Sequence, residues 1–520
     1  MKLPVLVFLV IASLAVADPV PAHRVLLVVF DGMRPDFISP ETTPNLSRLA
    51  AEGVFFAHHH PVYVSATEVN GTAMATGAYP EHSFIIANTD YRPVIDVQKS
   101  IGTEIPENIR KGDAVTGGHY LGRPTVAEIL HAHGLPTAIA GSKNVALLHD
   151  RAERQPGPGV SPILFMGATQ PAGLIDELTA KLGAFPPINT RDDKVARDAW
   201  TTQALLGTFW KDGLPPYSLL WLAEPDSSQH MTGPGSDQSL EAIRSSDTNL
   251  GLVLAELKRR GLRDTTDVFV VSDHAFSTIT RRVDVAVELS KPGFAAKRAT
   301  PGGLTKGDVL AVGNGGSTLM FVGGHDEEVI RRLAAYLQQQ DWVGVVFSRF
   351  PIEGAFPLGE AHIDSPGAPD LVVSLRWHHG RSATGAPGLL TSDVSSVAIK
   401  MGTHASLSPY EMHNTLVAAG PDIRRGVTST LPSANLDVAP TILWLLGLKD
   451  EARQMDGRVL SEALTVDAPP LKSYELKRLN ARSETAAGTW TQYLQISEVN
   501  GVRYLDEGNG NCQPKAEATK

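Results

Sequence analysis

Several short stretches of the chain combine residue types that can bind a cation or an anion. Asp226-Ser227-Ser228-Gln229-His230 offers a carboxylate and an imidazole four positions apart. Asp273-His274 offers the same two donors side by side, and Gly402-Thr403-His404 adds an imidazole between small neighbours. Asp31 closes an apolar run. Three carboxylates and three imidazoles form a mixed nitrogen and oxygen donor set that suits zinc, and in part manganese or iron. A single Asp-His dipeptide is usually just part of a polar loop. Six donors at corresponding positions carry far more weight. Thr67 adds a hydroxyl, and the small residues Gly71 to Gly77 that follow are compatible with a helix. Thr67 is therefore expected at or near a helix N-terminus, where free N–H groups and the helix dipole favour an anion such as phosphate. Local sequence alone also allows Thr67 or Ser65 a simpler role as an N-cap.

The elements that must position these groups are legible as apolar runs. Arg24 to Phe30 is continuous and ends at Asp31-Gly32, as expected of a strand buried on both faces of a parallel sheet. Thr137 to Gly141, Tyr217 to Ala223 and Asp267 to Val271 read the same way, and the last two end near Asp226 and Asp273. Helices are expected from Thr43-Pro44 to Gly53 and from Leu240 to Arg260. Alternating strands and helices predict an α/β fold. Ligands of such sheets bind at the carboxyl ends of the strands, where Asp31, Asp226 and Asp273 fall. Residues from about 278 to 401 read as an insertion, with a helix over Asp326 to Gln340 and a strand over Asp370 to Leu375. It is expected either to cap the site or to form a surface lobe. Asn435 to Leu448 predicts one helix, begun at Asp437. The segment 466–520 predicts a hairpin around Asn500-Gly501 and a flexible tail from Gly508.

The chain has 520 residues, 42% hydrophobic and 20% charged, as in ordinary globular proteins. Its net charge is -10 and no dense Lys/Arg run occurs, so no nucleic acid polymer is an expected partner. Met1-Lys2, the apolar stretch Leu3 to Val16 and Ala15-Val16-Ala17 read as a signal peptide over residues 1–17. The apolar stretch is too short to span a bilayer comfortably, and no later segment is long and uncharged enough. The expected product is exported, periplasmic or extracellular, without stable membrane insertion. Cys512 is the only cysteine, which excludes an intrachain disulfide and a multi-thiolate metal site.

The chain also resembles a known family. The residues that carry this are Val29 to Asp36, Thr43 to Leu46, Ser65-Ala66-Thr67, Thr76 to His82, Asp226 to His230 with Gly233-Pro234, Ser272-Asp273-His274 and Gly402-Thr403-His404. In that order they are similar to the type I phosphodiesterase/nucleotide pyrophosphatase family of the alkaline phosphatase superfamily. The likeness runs from about Arg24 to Leu448. It implies an alkaline-phosphatase-like catalytic domain over 24–465, with a mostly parallel sheet flanked by helices. It implies two divalent metal ions, most naturally zinc. Asp31, Thr67, Asp273 and His274 would hold one, and Asp226, His230 and His404 the other. Thr67 would be the nucleophile of a phosphodiester or pyrophosphate hydrolase acting on small phosphate esters through a phospho-threonine. Asn88 would donate to a phosphoryl oxygen, with Asn70 as a second amide near the nucleophile.

The chain departs from the family pattern in places. Glu68-Val69-Asn70-Gly71 stands where Phe-Pro-Asn-His is common, and Glu68 is expected to point outward. Ala275 and Ala405 replace frequent glycines. Lys143, just after a strand, is a candidate to reach a terminal phosphate oxygen, which keeps a phosphomonoesterase or phosphonate hydrolase as an alternative. A sulfate-ester hydrolase is another, opposed by the lack of a cysteine near Thr67. A catalytically silent binding protein of this fold is a third, opposed by the complete donor set. His58-His59-His60 is expected as a strand-edge or surface tract.

Overall fold

The computed structural model describes residues 23–155, 157, 159–187, 194–471 and 473–515. The leader expected over residues 1–17 lies outside them. Strand β1 (Arg24–Phe30) is buried along almost its whole length. Its side chains alternate between two cores. Val25, Leu27 and Val29 pack in one with Val69 and Ala73 of helix α2 (Thr67–Thr76). Leu26, Val28 and Phe30 pack in the other with Leu46 and Leu49 of α1 (Pro44–Glu52). A strand apolar on both faces is the mark of a sheet covered by helices on each side.

The described residues contribute nine strands to this central sheet. Besides β1 they are β2 (Val54–Phe56), β3 (Thr137–Gly141), β4 (Ile163–Phe165), β5 (Ala168–Gln170), β6 (Tyr217–Leu222), β7 (Thr266–Val271), β8 (Leu416–Ala419) and β9 (Val427–Ser429). The order is β9-β2-β8-β7-β1-β6-β3-β4-β5. β1 runs parallel to both β6 and β7, and β3 parallel to β6. Helix α3 (Asp226–Thr232) follows β6, and α4 (Asp237–Arg259) leads into β7. The parallel core therefore delivers Asp31, Asp226 and Asp273 at neighbouring carboxyl ends of β1, β6 and β7.

Residues 278–401 build two further sheets. One has six strands, including Ser317–Val322 and Leu371–Leu375, with the helix Glu327–Leu337 packed on it. The other pairs the two ends of this segment. Ser277 sits opposite Thr403 and Thr278 opposite Gly402. That clasp returns the chain to the central sheet beside the point where it left.

Three expectations need correction. The helix expected over Asn435 to Leu448 does begin from Asp437, its N-cap, but as α5 (Val438–Leu445) it ends before Leu448 and follows a separate 3-10 turn (Asn435–Asp437). The break frees Asn435 to donate to Asn70 and to the Asp273 carbonyl. The tail is regular strand well past Gly508. β10 (Tyr474–Glu484), β11 (Gly488–Val499) and β12 (Val502–Pro514) form an antiparallel sheet paired as far as Gly488 opposite Pro514. The hairpin is as expected, and β10 is a third strand added at its edge. His59 and His60 are buried in a short strand against Ser433 and Ala434, because their ring nitrogens find partners there.

Candidate active site

Backbone contacts draw the carboxyl ends of β1, β6 and β7 together. Asp226 N donates to the Asp31 carbonyl at 2.9 Å, and Gly32 N donates to Asp273 Oδ1 at 2.9 Å. Gly32 has a φ of +72°, and a Cβ there would lie 2.5 Å from the Phe276 ring. Only glycine fits a turn this tight against two strands. His274 and His404 are brought together by the Ser277–Thr403 clasp, and their rings stack with centroids 3.7 Å apart. His230, one turn along α3 from Asp226, lies 5.1 Å from His404 between centroids.

Six of the expected metal ligands thus meet in one place. Atoms of Asp226, His230 and His404 lie within 4.8 Å of one another, as do atoms of Asp31, Asp226 and His274. Asp273 Oδ2 is 3.4 Å from His274 Nε2. Asp226 stands between the two groups and can serve either.

The hydrogen bonding of these residues is one-sided. His230 Nδ1 faces the Gly402 carbonyl at 3.0 Å, His404 Nδ1 the Ser65 carbonyl at 2.9 Å, and His274 Nδ1 the Ala275 carbonyl at 3.2 Å. Each carbonyl fixes the proton on Nδ1 and turns the Nε2 lone pair inward, as ligand histidines require. The carboxylates behave alike. Asp31 Oδ2 accepts from Trp221 Nε1 at 2.9 Å, and Asp273 Oδ1 accepts from the N–H groups of Gly32 and His274. Asp31 Oδ1, Asp226 Oδ1 and Asp273 Oδ2 are buried without a hydrogen-bond donor. Orphaned buried oxygens are costly, and three in one place call for cations. The donor set fits two divalent ions.

Electrostatics follow from the burial. Burial drives His274 down to about 4 and His404 well below its ordinary value, so both are neutral donors near neutral pH. Burial, with the charge of Asp273, pushes Asp31 up. Asp273 rises to about 6 for the same reason of burial. Asp226 is also buried, yet Lys143 and His230 hold it well below the carboxylate range.

Thr67 begins α2, and its Oγ1 lies 3.2 Å from His274 Nε2. Ala66, not Thr67, occupies the N-cap position. Asn88 Oδ1 accepts from Glu68 N at 3.0 Å, which leaves Asn88 Nδ2 as the atom free to donate beside Thr67. Lys143 Nζ reaches Asp31 Oδ2 at 2.8 Å, Asp226 Oδ2 at 3.2 Å and Thr67 Oγ1 at 3.4 Å.

Two expectations fail here. Asn70 does not offer a second amide. Its Oδ1 accepts from Val62 N and Asn435 Nδ2, and its Nδ2 donates to the carbonyls of Val62 and Ala66. It holds the approach to α2 in place. Glu68 does not point outward. It is 5% exposed, with Oε2 unpartnered, and burial together with Glu104 pushes its carboxyl up.

A family model described as type I phosphodiesterase / nucleotide pyrophosphatase matches residues 25–384. The chain belongs to this family. Among relatives of this nucleotide pyrophosphatase family, ectonucleotide pyrophosphatase/phosphodiesterase family member 7 of Rattus norvegicus is 23% identical over 274 residues. That match covers 52% of this chain and 54% of the relative. Bis(5'-adenosyl)-triphosphatase enpp4 of Mus musculus is 24% identical over 285 residues, 54% of this chain and 53% of its own. The chain spans about half the length of these curated relatives. Murine ectonucleotide pyrophosphatase/phosphodiesterase 5, solved as an inactive variant with AMP, has a TM-score of 0.56 at 19% identity. The match covers 82% of this chain and 95% of that one, and it shows the fold.

Several supporting residues of this family member escaped the sequence reading. Trp221 orients Asp31 through its indole N–H. Asp198 is buried and accepts from Ser142 Oγ and from the N–H groups of Ala223 and Glu224, which fixes the turn before Asp226. Burial raises Asp198 to about 7. Nothing in the local sequence distinguishes it from a surface aspartate.

Proposed function

We propose that this chain is an exported hydrolase of phosphodiester or pyrophosphate bonds that uses two divalent cations and a phospho-threonine on Thr67. Zinc is the metal that the donor set fits best. Asp31, Thr67, Asp273 and His274 would hold one ion, and Asp226, His230 and His404 the other. The observation that carries the reading is the one-sided bonding of six donors, all buried but the half-buried His230, beside the Thr67 hydroxyl. The printed names and the AMP complex of its relatives support nucleotide-sized phosphate esters as substrates.

When bound, the ions would lower the pKa of the Thr67 hydroxyl and offset charge on the attacking and leaving oxygens. Thr67 Oγ1, held by the buried α2, attacks phosphorus in line. The ester bond to the leaving group breaks, and the phosphoryl group passes to Thr67. Asn88 Nδ2 donates to a non-bridging oxygen as charge builds there. Water then attacks the phosphorus and Thr67 Oγ1 departs. We read 24–465 as the catalytic unit, with 278–401 as an inserted lobe that delivers His404 and 466–520 as a C-terminal extension. Export rests on the apolar leader. Among the described residues no helix is long and apolar enough to cross a membrane.

One observation favours a second reading. Lys143 Nζ, 3.4 Å from Thr67 Oγ1, is placed to meet a terminal phosphate oxygen and so to favour monoesters. The test is a panel of mono-, di- and pyrophosphate esters with zinc-loaded protein. Diester or pyrophosphate turnover that Thr67→Ala abolishes supports the first reading. Turnover confined to monoesters and lost in Lys143→Gln supports the second. Turnover that survives Thr67→Ala ends both.

A further inference from the structure

We infer that His23, Asp267 and Asp422 form an additional divalent-cation site at the end of the central sheet remote from Thr67. Asp267 is the second residue of β7, whereas Asp273 follows its last. Six residue steps separate them, roughly 20 Å at the rise of a strand. The site is therefore independent of the catalytic reading. His23 directly precedes β1, which pairs Val25 with Asp267. Asp422 lies just beyond β8, the antiparallel neighbour of β7. Three chain segments thus bring one ligand each to a single point. One atom from each residue lies within 4.8 Å of the other two, and His23 Nδ1 is 2.9 Å from Asp422 Oδ2.

Asp267 supplies the decisive feature. It is 0% exposed. Its Oδ1 accepts from Asp422 N at 3.1 Å, while Oδ2 is buried with no donor. The charge of nearby Arg263 offsets only part of the cost of this burial, and Arg263 makes no hydrogen bond to Oδ2. The backbone is shaped around the carboxylate, because a Cβ on Gly420 would lie 2.1 Å from Asp267 Oδ1. A buried carboxylate with an orphaned oxygen, next to a second carboxylate and an imidazole, is a costly arrangement unless a cation joins them. One nitrogen and two carboxylate donors suit zinc or manganese. Such an ion clips the start of β1 to the β7–β8 edge. It would stabilise the fold without touching substrate.

The test uses the full chain dialysed against zinc buffered at nanomolar free ion, with bound metal counted per chain. His23→Gln and Asp422→Asn are each expected to bind one equivalent fewer than wild type. Each is also expected to lose part of the rise in melting temperature that zinc gives the wild type. The readout is a difference, so it does not depend on how many ions the Thr67 site takes. The His23 side chain is 45% exposed, so His23→Gln decides the matter even if Asp422→Asn does not melt cooperatively. An unchanged zinc count in His23→Gln would overturn the proposal.

Discussion

Two buried polar clusters sit in the same molecule on opposite terms. Around Thr67, three carboxylate oxygens have no donor and three imidazoles turn their lone pairs inward. Under the C-terminal sheet every carboxylate oxygen is matched. Asp437 accepts from Arg458 N, Ala434 N and Tyr504 OH. Glu462 takes both arms of Arg458 at 2.7 Å, and Asp506 accepts from Ser497 while lying 3.0 Å from His60 Nε2. A saturated network fixes β12 to the catalytic core. An unsaturated one is a standing demand for cations. Both are buried, so burial alone does not separate structure from function. Between these two clusters, the unmet hydrogen bonds of the carboxylates do.

Breaking each cluster should therefore do different damage. Asp273→Asn is expected to lower kcat/KM at least a thousandfold, about 4 kcal/mol. The melting temperature of the metal-free protein should not fall, because a buried strain is relieved. Steady-state kinetics beside thermal melts check this, and a large drop in melting temperature would erase the contrast. Arg458→Met should do the reverse. It leaves Glu462 unpaired and strips a donor from Tyr504 Oη and from the Pro432 carbonyl, and is expected to cost ~3–5 kcal/mol of stability in urea melts. The kcat/KM of the folded fraction should be unchanged.

Finer changes sharpen the comparison. Trp221→Phe removes the donor that orients Asp31 and should weaken metal binding about 10–100-fold, read by competition with a chelator. Equal affinity would mean that the indole N–H is incidental. His149 belongs to neither cluster. It is buried with Nε2 unpartnered, and burial drives it down to about 3 from 6.5. The folded state keeps it neutral while the unfolded chain takes up a proton below 6.5. Its contribution is thus intact above pH 6.5 and lost as pH falls toward 3. Between pH 6.5 and 5.5 the wild type should lose about 1 kcal/mol relative to His149→Gln. Parallel stability curves for the two proteins would contradict this.

The catalytic half was legible because its strands announce themselves. Apolar runs that stop at Asp31 and Asp273 require a buried sheet, and a buried sheet puts its ligands at those ends. Thr67 was legible through the small residues behind it. What the sequence hid were contacts made at a distance. Asn70 looked like a free amide until Val62, Ala66 and Asn435 were seen to occupy it. Glu68 looked like a surface charge, since nothing near it in sequence covers it. The strand Tyr474–Glu484 went unread because its charged residues suit an exposed edge and bury little. The tail beyond Gly508 looked loose because Gly508, Gly510 and Asn511 are turn formers. They lie in β12 because Gly510 packs against the Gly344 carbonyl, where a Cβ would come to 2.2 Å.

The central claim is that the unmet donors around Thr67 bind two cations. Diffraction data collected at the zinc edge from zinc-loaded crystals of the full chain test it most directly. The account predicts two strong anomalous peaks beside Thr67 Oγ1, one among Asp31, Asp273 and His274, the other among Asp226, His230 and His404. A map with no peak there, and Lys143 still seated between Asp31 and Asp226, would contradict it.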